Sequence, residues 1–280
     1  MAALTSARTS VAIPPRSPGL VEALWVARSP HGAPPRVALP DGRPAAVVRL
    51  AGHVRWVDPF SREEERIGSV LRGPRSTPQV VLADGDAPVW EIGVRLAPWA
   101  LSALHPADAL VDAHRPLGDA LGLDADAWTA LERRLRAAGD DAAAAVRALE
   151  DVLEAAVRRP VPAHERADLD RVVAVADAER GLVRPLDLAR AVDRSLASLH
   201  ALFAAHLGMT PGAFLSAVRL SCAVRELGVD DRGDAAGVVR VLRSYADAGY
   251  APREVERFTG MSALDLRRSL RGMEELLATA

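Results

Sequence analysis

The stretch SLASLHALFAAHLGMT, Ser195 to Thr210, decides how the second half of the chain is read. Leu196, Leu199, Leu202, Phe203 and Leu207 recur at three- and four-residue steps, the period of a helix that buries one face. Ser195 is a good N-cap and Gly208 a good C-terminal stop, so the spacing predicts one helix between them. Just upstream, PLDLARAV carries its own apolar set (Leu186, Leu188, Ala189, Val192), and Asp193–Arg194 leaves room only for a tight turn. Two short helices joined this way have the layout of a helix-turn-helix. The outward positions of the second helix hold Ala197, Ser198, His200, Ala201, Ala204 and Ala205, with no arginine or lysine anywhere from Ser195 to Thr210. Arginine is the usual bidentate partner of guanine, and Ser198 and His200 offer only weaker hydrogen bonds to a base edge.

Downstream, PGAFLSAVRLSCAVRELG is predicted as a longer helix opened by Pro211, with Phe214, Val218, Leu220, Val224 and Leu227 mostly inward. A loop, VDDRGD, leads into a second unit, AAGVVRVLRSYADAGYAPREVERFTGMSALDLRRSL. Two segments, HLGMTPGAFL (206–215) and RFTGMSALDLRR (257–268), each end a helix at glycine and start another after Thr or Ser. With SYAD (244–247) before the last pair, they make residues 168–272 resemble the AraC/XylS family of transcription regulators. The resemblance implies two helix-turn-helix units joined by a linking helix, and duplex DNA as a partner. It places Ser195, Ser198, His200, Arg253 and Arg257 at DNA-facing positions.

The chain departs from that pattern in chemistry. Alanine, serine and histidine stand where the family carries arginine on its first reading helix. Pro252 falls within the expected second reading helix, where an interior proline costs about 3 kcal/mol. A later start, with Ala251 at the cap and Pro252 first, removes that cost and leaves Arg253 and Arg257 as the cations. Ser244 replaces the glycine expected in the preceding turn. From Arg166 to Ala280 there are sixteen arginines and sixteen acidic residues, so the segment has no overall basic excess to drive phosphate binding.

The first half has a different texture. RVALPDGRPAAVVRL reads as strand, turn and strand; GHVRWVDPF and PQVVLADGDAPVWEIGVRLAP follow as further strands. In VWEIGVRL the side chains of Trp90, Ile92, Val94 and Leu96 share one face, while Glu91 and Arg95 share the other, as in a strand with one solvated side. LPDG (39–42) and GVRLAP (93–98) look like a sensor domain found on such regulators, which implies a β-rich ligand-binding unit. Trp56 and Trp99 are candidates for either core or pocket wall, and His53 and Glu91 for a polar cluster on the sheet. From Pro98 the pattern turns helical, with two helices broken near Gly139, Asp140 as a cap, and the proline-bearing RRPVPAHERAD as a linker.

The expected architecture is therefore α+β: a tail over 1–19, a β-rich ligand-sensing domain over 20–121, a helical connector over 122–165 and a double helix-turn-helix domain over 166–280. Net charge is −2, every cation in the Lys+Arg count is arginine, and Cys222 is the sole cysteine. That composition excludes an internal disulfide and a cysteine-based zinc site. No apolar run has membrane-spanning length, and the N-terminal stretch lacks the apolar segment of a secretion signal, so the expected location is the cytoplasm. The expectation includes no cofactor and no metal, because neither phosphate-loop, dinucleotide-type nor metal-ligand spacing is present. A small molecule is the expected ligand, a homodimer is left open, and no reaction is assigned. Two functions compete: an AraC-like regulator responding to that molecule, and a regulator-derived protein that has lost DNA reading and binds or transforms a metabolite.

Overall fold

The computed structural model describes residues 9–13, 19–85, 87–107, 110–139, 141–229 and 235–279. Ten strands come first in outline: β1 (Thr9–Ile13), β2 (Val21–Ser29), β3 (Arg36–Ala38), β4 (Ala45–Ala51), β5 (His53–Val57), β6 (Glu64–Ile67), β7 (Val70–Arg72), β8 (Gln79–Asp84), β9 (Val89–Leu96) and β10 (His114–Pro116). Helices α1 (Ala100–Leu104), α2 (Leu117–Leu121), α3 (Ala125–Ala138) and α4 (Ala142–Ala155) follow or interleave with the last strands. Then come α5 (Ala163–Ala178), α6 (Pro185–Ala191), α7 (Leu196–Leu207), α8 (Pro211–Arg225), α9 (Ala235–Asp247), α10 (Pro252–Thr259) and α11 (Ala263–Thr279). The class is α+β.

The strands form two antiparallel sheets, ordered β1-β2-β9-β4-β7-β10 and β3-β8-β5-β6. They face each other across a small core of Val47, Val54, Trp56, Ile67, Val70, Val81 and Val89. The outer face of the first sheet (Leu24, Val48, Ile92, Val94) is continuous with a large core reaching through α1–α7 into the first half of α8. The outer face of the second sheet (Val37, Val57, Val80, Leu82) packs on Leu220 and Val224 of α8 and on α9–α11. The helical half thus clasps the two sheets from both sides, and α8 belongs to both clasps.

Several expectations change on contact with this architecture. The charged face of β9 is largely covered: Glu91 and Gly93 are buried under the second sheet, and only Arg95 stays part exposed. The helical pattern after Pro98 is interrupted by β10, which pairs with β7 at the edge of the first sheet, where a proline is tolerated. Thr9–Ile13, inside the stretch read as a tail, pairs with β2 along five positions. Asp140 lies outside the described residues; the side chain that caps α4 is Asp141, which accepts from Ala144 N at 2.9 Å. Ala163 opens α5 inside the stretch read as linker, and Leu227, expected inward, is 56% exposed beyond the end of α8.

Local signals were more faithful in the helical half. Ser195 Oγ accepts from Ser198 N at 3.1 Å, and Gly208 closes α7 with φ +71°. Proline opens α10 as its first residue, behind Ala251 in extended conformation, so the strain of an interior proline never arises.

Candidate functional site

Register places the candidate site. Three successive rungs of the first sheet point at the second. Ala23, Arg95, Ala45 and Arg72 share one rung, and Trp25, Gly93, Val47 and Val70 the next. Ala27, Glu91 and Arg49 form the third. The outer two rungs are four residues apart along β4, or about 13 Å in an extended strand. The middle rung is apolar, and it has to carry glycine: a Cβ on Gly93 would sit 2.1 Å from the Trp25 ring. Arg36, Ala38, Trp56 and Ile67 of the second sheet complete the walls around a cavity of about 310 Å³. Leu39 and Asp41 line its edge, and so does Arg225, from the last turn of α8.

Its electrostatics are lopsided. Five guanidinium groups (Arg36, Arg49, Arg72, Arg95, Arg225) line it against two carboxylates, Glu91 and Asp41. Arg49 Nη2 lies 3.0 Å from Glu91 Oε2 with both side chains almost fully buried, and Arg36 Nη2 reaches the other oxygen at 3.5 Å. Arg49 Nη1 also donates to Ile67 O at 3.1 Å. Burial pushes the Arg49 guanidinium below its ordinary range, and the Glu91 charge pulls it back up. Beside the cavity, Arg75 lies 4.5 Å from the centre of the Trp56 ring and Arg72 5.7 Å. Burial, then the Arg72 charge, lowers Arg75 to about 10. Arg95 is partly balanced by Glu22 at 3.1 Å, whose carboxyl is itself pushed up by burial. The lining thus combines an excess of guanidinium groups with the rings of Trp25 and Trp56.

The cavity edge is wired to the helices. Asp41 Oδ1 accepts from Arg43 N at 3.0 Å, which fixes the Leu39–Pro44 turn. Gly42 at φ +69° lets the turn lie on Phe214 of α8, since a Cβ would fall 2.5 Å from that ring. Arg43, 5% exposed, bonds Asp177 of α5 at 2.7 Å and Glu22 at 3.2 Å, and its guanidinium stands 5.2 Å from the centre of the Phe214 ring. Ser221 Oγ of α8 donates to Pro40 O at 2.6 Å, one turn before Arg225.

Of the residues expected to meet a ligand, Trp56 and Glu91 line this cavity. His53 is exposed at the end of β5, opposite Asp84, and Trp99 is buried at the start of α1 with Arg166 5.2 Å from its ring centre; neither lines the cavity. Of those expected to meet DNA, Ser195 caps α7 and Ser198 Oγ accepts from Arg194 Nη1 at 3.1 Å. His200 is exposed on α7, and Arg253 and Arg257 are exposed on α10. His206, by contrast, is buried: Nδ1 lies 2.6 Å from Ser102 Oγ and Nε2 3.0 Å from Glu165 Oε2, so it ties α7 to α1 and α5. Sequence reasoning missed Trp25, Arg36, Arg49, Arg72 and Arg225. One local signal was available for Arg49, an arginine inside the otherwise apolar run AAVVRLA. A charge there must be partnered if the strand is buried.

Among the described residues no group of three or more His, Cys, Asp or Glu could hold a metal ion, and no single helix is long and apolar enough to cross a membrane. No family profile matches the chain, and no curated protein matches it. Among solved structures it is similar to ToxT from Vibrio cholerae, with a TM-score of 0.41 and 7% identity over 91% of this chain and 97% of that one. ToxT with bound unsaturated fatty acid gives 0.37 and 8% over 86% and 93%. The AraC-like transcriptional activator CuxR gives 0.29 and 14% over 64% and 70%. Likenesses this loose assign neither family nor ligand.

Proposed function

We propose that the chain is a ligand-responsive regulator of the AraC/XylS type, and that its effector is a small organic acid seated between the two sheets. The motifs around Gly208 and Gly260 support the regulator type, and the arginine-rich cavity supports the effector class. One observation carries the coupling: Arg225 of α8, the helix that joins the two helix-turn-helix units, lines the same cavity as the sheet residues. An occupant there touches the sensor half and the helical half together, and so has a means of favouring one arrangement of them. The cavity volume sits at the lower end of the range for small-molecule sites, which suits a compact ligand. A homodimer and a cytoplasmic location fit this reading.

Titration with cinnamate, followed by tryptophan emission from Trp25 and Trp56, tests the effector class, with neutral cinnamamide as the control. The acid is expected to bind at least tenfold more tightly than the amide, and Arg72→Gln and Arg225→Gln each to lose about tenfold, the loss of one charged hydrogen bond. Equal binding of acid and amide sinks the anion assignment. Loss in Arg72→Gln but not Arg225→Gln leaves a sensor pocket without its link to α8.

A second reading is favoured by α7: a regulator-derived protein that keeps the pocket and has lost DNA reading. The exposed side of α7 presents no arginine or lysine. Binding to fragments of genomic DNA at low salt separates the two, since a DNA-binding regulator loses affinity steeply as salt rises. Absence of binding even at the lowest salt selects the second reading.

A further inference from the structure

The two helix-turn-helix units differ in how their charges are used. In the first, every arginine of the α6–α7 hairpin is already held by a carboxylate. Asp187 takes Arg184 at 2.8 Å and Arg190 at 3.1 Å, and Asp168 takes Arg194 at 2.6 Å. α7 itself contributes no arginine. In the second unit four of the six acids are the ones already engaged, while Asp247 and Glu256 have no ion pair among the described residues. Glu254 Oε2 accepts from Ala251 N at 3.0 Å, and Asp265 holds Ser262 Oγ at 2.7 Å. Glu274 pairs with Arg243 of α9, and Glu275 with Arg62 from the β5–β6 turn. Among the described residues no carboxylate lies within ion-pair distance of Arg253 or Arg257 on α10, or of Arg267, Arg268 or Arg271 on α11, and all five are exposed. The even balance of sixteen against sixteen therefore conceals an uneven surface.

Resting on the regulator reading above, we propose that the second unit alone holds duplex DNA, and that α11 as well as α10 supplies its phosphate contacts. Arg253 and Arg257 are four residues apart on α10, and Arg267 and Arg271 four apart on α11, so each pair rises about 6 Å along its helix. Guanidinium groups so presented meet phosphates along a backbone without reading bases. A duplex is the partner because a helix-turn-helix is built to lie along one. Tyr250 and Phe258, 5.6 Å apart centre to centre and both part exposed, could instead stack on bases, so a single strand is the competing partner in the test. The first unit then takes no part in holding DNA, and the protein covers one stretch of backbone where a two-unit reader covers two.

The test is the salt dependence of binding to a mixed-sequence 30-base-pair duplex, measured by fluorescence anisotropy on the full chain. Each phosphate contact contributes about 0.9 to the slope of log affinity against log salt. Converting Arg267, Arg268 and Arg271 together to serine is expected to flatten the slope by about two to three, and the corresponding lysine variant to keep most of it. Arg253→Ser with Arg257→Ser flattens it by nearly two, and Ser198→Ala with His200→Ala leaves affinity and slope unchanged. The arginines and His200 are exposed, so an unchanged thermal melt is expected in the arginine variants; Ser198 is half-buried and accepts from Arg194, so the α7 variant is compared only where its melt shows it folded. Unchanged slope in the α11 serine variant, or a tenfold loss in the α7 variant, overturns the inference while the regulator reading stands. A single strand of the same length bound more tightly than the duplex overturns the choice of partner. Wild-type protein that binds no DNA at the lowest salt removes both the regulator reading and this inference.

Discussion

The two units share a plan and divide its uses. α7 buries Leu199, Leu202, Phe203, His206 and Leu207 in the large core it shares with α1, α5 and α8, and its outward side is mostly alanine. α10 buries little beyond Val255 and Thr259, and its outward side is charged. A short helix gains its stability chiefly from the face it packs. α7 is therefore a structural member, held by apolar burial and by the His206 bridge, whereas α10 is a surface element pinned at its ends by Pro252 and Gly260. The contrast shows that a reading helix can lose its polar face and survive, as long as its apolar face is needed elsewhere.

The largest expected effect breaks that contrast if it fails. Phe203 is fully buried and meets Phe214 edge-on at 5.4 Å, so Phe203→Ala is expected to cost about 3–5 kcal/mol in urea unfolding. Phe258 of the second unit is 37% exposed, with the Tyr250 and Tyr245 rings beside it, and Phe258→Ala is expected to cost about 1 kcal/mol. Equal losses at the two sites end the claim that α7 is a buried member and α10 a surface element.

The same division explains what was legible beforehand. Ser195, Gly208, Ala251–Pro252 and Gly260 act on residues within four positions of themselves, so their chemistry can be read from the letters alone. The outward set of α7 was legible too, because one helical period fixes it. The cavity was not. Arg49 meets Glu91 forty-two positions away, and Arg225 reaches a wall whose other residues all lie before Arg95 or at it. Such meetings depend on strand register and on which sheet covers which face, and neither is written in local periodicity. Trp99, left open between core and pocket wall, falls to the core. Its place beside the GVRLAP motif suggested a pocket wall, but the chain has already turned into α1 by that point and carries the ring away from the cavity. The spare arginines of α11 escaped notice for a third reason. A sum of charges over a segment does not say which carboxylates are engaged.

Capping gives a smaller test of the same contrast. Ser195→Ala removes the hydroxyl that accepts from Ser198 N and is expected to cost about 1 kcal/mol. Ala251 offers α10 no side-chain acceptor, so Ala251→Ser should stabilise by a similar amount. Thermal melts of the two variants should therefore move in opposite directions. The DNA slope is expected to stay where it was in Ser195→Ala, since that side chain is engaged in capping. A flattened slope in Ser195→Ala would return the first unit to the DNA interface.

The smallest expected effect is the sharpest discriminator. His200 is the only side chain on the outward side of α7 that could carry a positive charge, and it is exposed. His200→Ala should change stability by less than about 0.5 kcal/mol, because an exposed position away from caps and cores contributes little. Its effect on DNA affinity is expected to be nil. If His200 meets a phosphate instead, His200→Ala binds more weakly than the wild type and loses less affinity as salt rises. A gap of that kind between the two proteins would put α7 back on DNA. Its absence leaves α7 as the member that braces the large core, with DNA held from α10 and α11.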